Sequence, residues 1–157
     1  MKNEELITKF YSSFAEGNAD EMISCYNDAV EFSDPAFGLL KGEDAKNMWR
    51  MLIERSKGNL KIEFKNVSAN DEKGSADWTA QYLFTKTGRN VYNMIHAEFE
   101  FRDGKIIRHR DNFDIWKWSK QALGIPGILF GWSSFMQNKI RQNALESLKQ
   151  FTKNKPV

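Results

Sequence analysis

The chain opens on a helical repeat. Leu6, Ile7, Phe10, Tyr11 and Phe14 fall three and four apart, and Gly17 ends the run. Asn18 followed by Glu21 has capping-box spacing, which predicts a second, short helix with Met22, Ile23 and Tyr26 on its apolar face. Val30 to Asp34 alternates and stops at Pro35, the pattern of a short strand running into a turn. Ala45, Met48, Trp49, Leu52 and Ile53 return to helical spacing, and this third helix ends near Gly58.

After Gly58 the period changes to two. Leu60, Ile62 and Phe64 alternate with charged residues, and Ala76, Trp78, Ala80, Tyr82 and Phe84 form the apolar face of the next strand. A turn at Thr87 to Asn90 leads into Ile95, Ala97, Phe99 and Phe101. Asp103-Gly104 then turns the chain into Ile107, His109, Asp111, Phe113 and Ile115. Helices first and an antiparallel meander afterwards predict an α+β domain with its helices on one face of the sheet.

The last hairpin decides which side chains share a face. A two-residue Asp103-Gly104 turn would put Phe99 and Phe101 on the same face as Arg108 and Arg110. A three-residue loop, with Gly104 in the left-handed bulge position, puts Ala97, Phe99 and Phe101 beside Ile107, His109 and Asp111 instead. It also sets Glu98 opposite Arg108, opposite charges directly across, and turns His96 outward beside Arg110. The three-residue loop is therefore expected, with His109 and Asp111 on the apolar, inward face.

Composition adds one unusual feature. Aromatic residues make up 13% of the 157 residues (12 Phe, 5 Trp, 4 Tyr), which points to a ring-lined cavity or a large buried subunit contact. A net charge of +2 with no basic run interleaved with rings argues against nucleic-acid binding. The lone Cys25 excludes an internal disulfide, and His96 and His109 offer little for zinc, so no metal site is expected. There is no glycine-rich phosphate loop and no HExxH helix. The polar start, MKNEELITKF, has no signal-peptide character, so a cytoplasmic location is expected.

Three polar groups stand on otherwise apolar inward faces: Asp34, His109 and Asp111. A carboxyl among rings is costly to ionise, which suits it to general acid or base work. Tyr11 faces the same interior from the first helix. Two carboxyls and a phenol converging on an aromatic cavity fit proton transfer on a carbonyl, epoxide or enol. Each has a plainer alternative. Asp34-Pro35 reads first as turn chemistry, and Asp111 also as a strand partner of His109 or Arg110. Tyr11 at helical spacing also reads as core, and Cys25 reads as a small core residue.

The segments FYSSFAEGNADEMISCYNDAVEFSDPAFG and MIHAEFEFRDGKIIRHRDNFDIWKW resemble the nuclear-transport-factor-2-like superfamily, in its SnoaL-like and ketosteroid-isomerase-like branch. The resemblance implies a cone-shaped α+β barrel in which N-terminal helices fill the concavity of a strongly bent antiparallel sheet. By it, Asp34 matches the ketosteroid-isomerase general base and Tyr11 its oxyanion tyrosine, while Ala97 takes the place of the second oxyanion acid. Asp111 matches the acid/base aspartate of SnoaL-like cyclases and the final aspartate of limonene-epoxide hydrolases. The Arg-x-Asp those hydrolases also use is missing from residues 75–85, which read SADWTAQYLFT.

The resemblance covers residues 1–118, and residues 119–157 form a helical extension of the same domain. In the extension Met136, Ile140, Ala144, Leu148 and Phe151 make an apolar stripe. It is expected as a packing or homodimer element ahead of a lid, with membrane-surface contact least favoured. The expectation is a cofactor-free acid–base enzyme (isomerase, cyclase or hydrolase) acting on a hydrophobic small molecule. Asp111, Asp34, Tyr11 and His109 would be catalytic, and Phe32, Trp49, Trp78, Tyr82, Phe99 and Phe113 would line the pocket. The alternative is a non-catalytic ligand-binding or dimerisation module of the same fold.

Overall fold

The computed structural model describes residues 1–154. Two N-terminal helices, α1 (Asn3–Ala15) and α2 (Ala19–Ile23), precede strand β1 (Tyr26–Asp34) and the short β2 (Gly38–Lys41). Helix α3 (Glu43–Ser56) leads into β3 (Lys61–Ala69), β4 (Lys73–Phe84), β5 (Arg89–Arg102) and β6 (Lys105–Asn112). Three helices close the chain: α4 (Ile115–Leu123), α5 (Ile125–Phe130) and α6 (Ser134–Lys153).

The architecture is the expected α+β arrangement of helices on one sheet. The six strands run in the order β2-β1-β6-β5-β4-β3 and do not close into a barrel. All neighbours are antiparallel except β1 and β6, which pair in parallel with Phe32 beside His109 and Ser33 beside Arg110. Register shifts interrupt β1, β3 and the β5–β6 pairing, and such bulges bend a strand and raise its twist. Helix α1 packs on β3 and β4, and α3 on β1 and β2, so one face of the sheet is covered and the other is wet.

Side-chain caps start helices α2 and α6, the first of them as expected. Asn18 Oδ1 accepts from the Glu21 backbone N–H at 3.1 Å and caps α2. Ser133 caps α6 in the same way through the Met136 N–H. Other elements differ from expectation. Tyr26 leaves the α2 face and begins β1, where its ring is buried. The last strand stops at Asn112, because Asp114 Oδ1 accepts from the N–H groups of Trp116 and Lys117, both at 3.0 Å, and starts α4. Phe113 therefore leaves the strand row and Ile115 becomes helical.

The hairpin also departs from the expected loop. Asp103 (φ 55°) and Gly104 (φ 74°) form a two-residue turn with positive φ at both positions, and Arg102 pairs with Lys105. The bulge lies further on, between the Phe101–Ile106 and Glu100–Arg108 pairs. The intervening Ile107 is half-buried, and Ile106 takes the fully buried place expected of it. This shift restores the inward parity of His109 and Asp111. It sets Glu98 opposite Arg110 and Glu100 opposite Arg108, each pair closed by an ion pair at 2.5 Å, in place of Glu98 with Arg108. His96 faces outward across from Asn112 and bonds Asp77 at 2.7 Å.

Candidate functional site

Two neighbouring strands, β1 and β6, aim polar groups into the covered face, and β5 packs apolar residues beside them. In β6, His109 is fully buried and Asp111 nearly so. Phe99 and Ala97 of β5 lie directly beside them, and Phe32 of β1 lies on the other side of His109. The same parallel register, carried two residues along β1, brings Asp34 to the level of Asp111.

His109 sits inside rings. Phe99, Phe32 and Phe10 approach its imidazole at centroid distances of 4.5, 5.0 and 5.4 Å, and Trp49 stacks on it at 5.9 Å and 11°. Both ring nitrogens are used. Tyr26 Oη lies 2.7 Å from Nδ1, and Asp111 Oδ1 lies 2.8 Å from Nε2. Trp49 Nε1 donates to Tyr26 Oη at 2.8 Å. An indole N–H can only donate, so Tyr26 Oη accepts there, and in this dry interior its own proton finds a partner only by donating to His109 Nδ1. The imidazole is then the Nε2–H tautomer and donates to Asp111. Trp78 Nε1 donates to the same Asp111 Oδ1 at 3.3 Å, which leaves Oδ2 for other chemistry. Trp49, Tyr26 and His109 thus form a directed chain that ends on the carboxyl.

Tyr11 is the complement of that chain. It is fully buried, and its Oη is the one buried side-chain polar atom among the described residues with no hydrogen-bond partner. Burial pushes its phenol well above the ordinary range, and the Asp111 charge adds to the effect. Phe64 stacks on the Tyr11 ring at 5.6 Å, and Trp78 lies tilted against it at 5.7 Å.

Asp34 combines its two readings. Its Oδ1 accepts from the backbone N–H groups of Ala36 (2.9 Å) and Phe37 (2.6 Å), the expected turn chemistry. Burial nevertheless raises its pKa to about 7; the Phe37 N–H opposes the rise and the Asp111 charge reinforces it. The two carboxyls therefore sense one another. Asp34 in turn adds to the effect of burial in raising the Tyr82 phenol.

The expected lining residues divide into two groups. Phe32, Trp49, Trp78 and Phe99 surround the His109–Asp111 pair. Tyr82 and Phe113 sit at the edge of the main core and also pack against a second cluster with Trp118 of α4 and Ile140 of α6, in which Trp118 Nε1 donates to Tyr82 Oη at 2.7 Å. Helices α4 and α6 thus lie over the Asp34–Tyr82 end of the site. Arg141 of α6 reaches the Pro35 carbonyl at 3.3 Å, while Leu148 and Phe151 enter the main core. The apolar stripe of α6 is accordingly used within the chain.

The sequence reading missed Tyr26 and Trp49 as polar partners of His109. Tyr26, Val30, Phe32 and Asp34 share the even-numbered positions of one strand, a signal interrupted by the exposed Asp28. On the outward face, a groove of about 910 Å³ is lined by Glu31, His96, Glu98, Glu100, Arg108 and Arg110. These side chains are paired with one another or, for His96, with Asp77, so the groove is a solvated charged surface. No group of three or more metal-ligating side chains occurs among the described residues. None of their helices is long and apolar enough to cross a membrane.

An open six-stranded sheet covered on one face by N-terminal helices and a C-terminal helix fits the nuclear-transport-factor-2-like class. Within it, the chain belongs to the SnoaL-like domain family, whose model matches residues 7–109. Solved structures agree on the fold. A candidate polyketide cyclase from Xanthomonas campestris pv. campestris is 19% identical with a TM-score of 0.61, over 75% of this chain and 94% of that one. A limonene-epoxide-hydrolase-like epoxide hydrolase from M. tuberculosis is 20% identical with a TM-score of 0.59, over 82% and 94%. TerC, crystallised with polyporic acid, is 17% identical with a TM-score of 0.64, over 76% and 97%. No curated protein matches the chain.

Proposed function

We propose that this protein is an acid–base enzyme of SnoaL type, acting on a hydrophobic carbonyl or enol compound held between Tyr11, Asp34 and Asp111. The observation that carries the proposal is the buried, unpartnered Tyr11 Oη, a phenol within reach of the Asp111 charge. A donor kept dry without a partner is costly to the free protein and becomes useful when a substrate oxygen accepts from it. Asp111 is the base. Its Oδ1 is held by His109 and Trp78, and its Oδ2 takes the proton from the carbon next to the carbonyl. The electron pair of that C–H bond moves onto the carbonyl oxygen, where the Tyr11 hydroxyl stabilises it. Asp34, neutral below about 7, is suited to return a proton. His109 has both nitrogens occupied, so it positions Asp111 and does not touch substrate. The α4–α6 cover has to move for entry.

A second reading has its own support. The rings packed against every side of His109 leave that part of the interior to the protein, which favours a binding module that has kept the fold without turnover. Proton exchange separates the two. 2-Tetralone in D₂O, followed by NMR, should exchange its C1 protons faster with the protein than with buffer. Binding of polyporic acid or 2-tetralone, seen as tryptophan quenching, with no accelerated exchange would establish the binding module instead.

A further inference from the structure

We infer that α5 and the turns on either side of it dock the protein on an anionic lipid surface. Helix α5 seats on α4 through two glycines. A Cβ on Gly127 would lie 2.0 Å from the Ser119 carbonyl oxygen, and one on Gly131 would lie 2.0 Å from Ser119 Oγ. With the glycines turned inward, the large apolar residues of the segment turn outward. Ile125, Ile128, Leu129, Phe130, Trp132 and Phe135 are between 51% and 78% exposed. A monomeric soluble protein rarely exposes so much clustered apolar surface.

Charge selects the occupant. Residues 115–145 contain Lys117, Lys120, Lys139 and Arg141 and no acidic residue. Lys120 extends over the Trp116 ring at 3.7 Å, and Trp132 Nε1 is held by the Leu129 carbonyl at 2.9 Å. An apolar tip with indoles at its edge and cations around it matches the layered chemistry of an anionic bilayer surface. A second copy fits less well. A two-fold contact would press the same cationic segment against itself, and that segment brings no acid to neutralise it.

The same α4 that supports α5 also covers the candidate site through Trp118 and Tyr82. Docking would then place the entrance at the lipid and select a membrane-dissolved substrate; this extension rests on the proposed function, whereas docking itself does not.

The test uses the full chain with vesicles of phosphatidylcholine, alone or mixed with phosphatidylglycerol, read by co-sedimentation and tryptophan emission. Binding is expected with the anionic vesicles, with emission shifted to the blue and affinity falling as salt rises. Lys120→Gln should weaken binding about fivefold. The pair Leu129→Glu and Phe130→Glu should weaken it at least tenfold with unchanged circular dichroism, since both side chains are exposed. Absence of binding to anionic vesicles overturns the inference. So does a dimer in sedimentation velocity that the glutamate pair dissociates, which assigns the patch to a second copy.

Discussion

Replacing Asp34 by Asn isolates the energetic consequence of burying that carboxyl. In the folded chain its pKa is raised from 3.8 to about 7, first by desolvation, while the N–H groups of Ala36 and Phe37 hold it back. A raised acid binds its proton more tightly when folded than when unfolded, so stability falls as pH rises between those two values. The slope from this group is about 1.4 kcal/mol per pH unit, which gives about 4 kcal/mol across the window as an upper value. Asn keeps an Oδ1 acceptor for both N–H groups and has no proton to lose. Urea unfolding of the two proteins from about pH 4 to about pH 8 should therefore diverge. The variant gains on the native protein through the window, and the difference levels off above about pH 7. Other titrating groups are common to both proteins and largely cancel. A difference that stays flat across the range would refute the raised Asp34 carboxyl.

Three other substitutions probe different parts of the structure. Tyr26→Phe strands the Trp49 Nε1 donor and the His109 Nδ1 acceptor in a dry interior and should cost about 2 kcal/mol or more in chemical unfolding; an unchanged midpoint would break the directed chain. Tyr11→Phe removes a hydroxyl that has no partner, so the free protein should be equally or more stable, by up to about 1–3 kcal/mol, while 2-tetralone binds about tenfold more weakly. Loss of stability without loss of binding would mean the hydroxyl serves the fold. Gly127→Ala drives a Cβ into the Ser119 backbone and should lower stability by about 1–3 kcal/mol; an unchanged thermal midpoint would contradict the seating of α5 on α4.

Much of this architecture is legible in the periodicity of the chain. The α1 repeat and the inward rows of β4 and β5 follow from local spacing, because burial on one face imposes a period. What the pattern does not carry is where a period breaks. Tyr26 lies two residues beyond Ser24, the C-cap of a five-residue helix, and satisfies both helical and strand spacing; tertiary pairing with β6 decides in favour of the strand. The bulge at Ile107 replaces the expected longer loop. Both devices give the same parity, so the inward placement of His109 and Asp111 was accessible although the turn was not. The Asp114 cap competes with an unbroken apolar alternation through Phe113 and Ile115, and the two N–H bonds to its carboxyl settle the outcome.

The candidate site was legible in part for the same reason. Asp34, His109 and Asp111 interrupt apolar rows, and an interruption is visible in sequence. Tyr26 and Trp49 are amphipathic rings that pass as core, and their polar ends become evident only where Tyr26 Oη meets both partners. Tyr11 was placed by its helical spacing, but its missing partner is a property of three-dimensional packing. The exposure of α5 was hidden likewise, since Gly127 and Gly131 orient it through contacts distant from any periodic signal.

The proposed chemistry meets its most direct test in Asp111→Asn, compared with the native chain in C1 deuterium exchange of 2-tetralone at matched occupancy. Asn preserves the acceptor for His109 and Trp78 and removes only the basic oxygen. Exchange should fall about a hundredfold or more while 2-tetralone binding stays within about twofold. Equal exchange by the two proteins would contradict the assignment of Asp111 as the base.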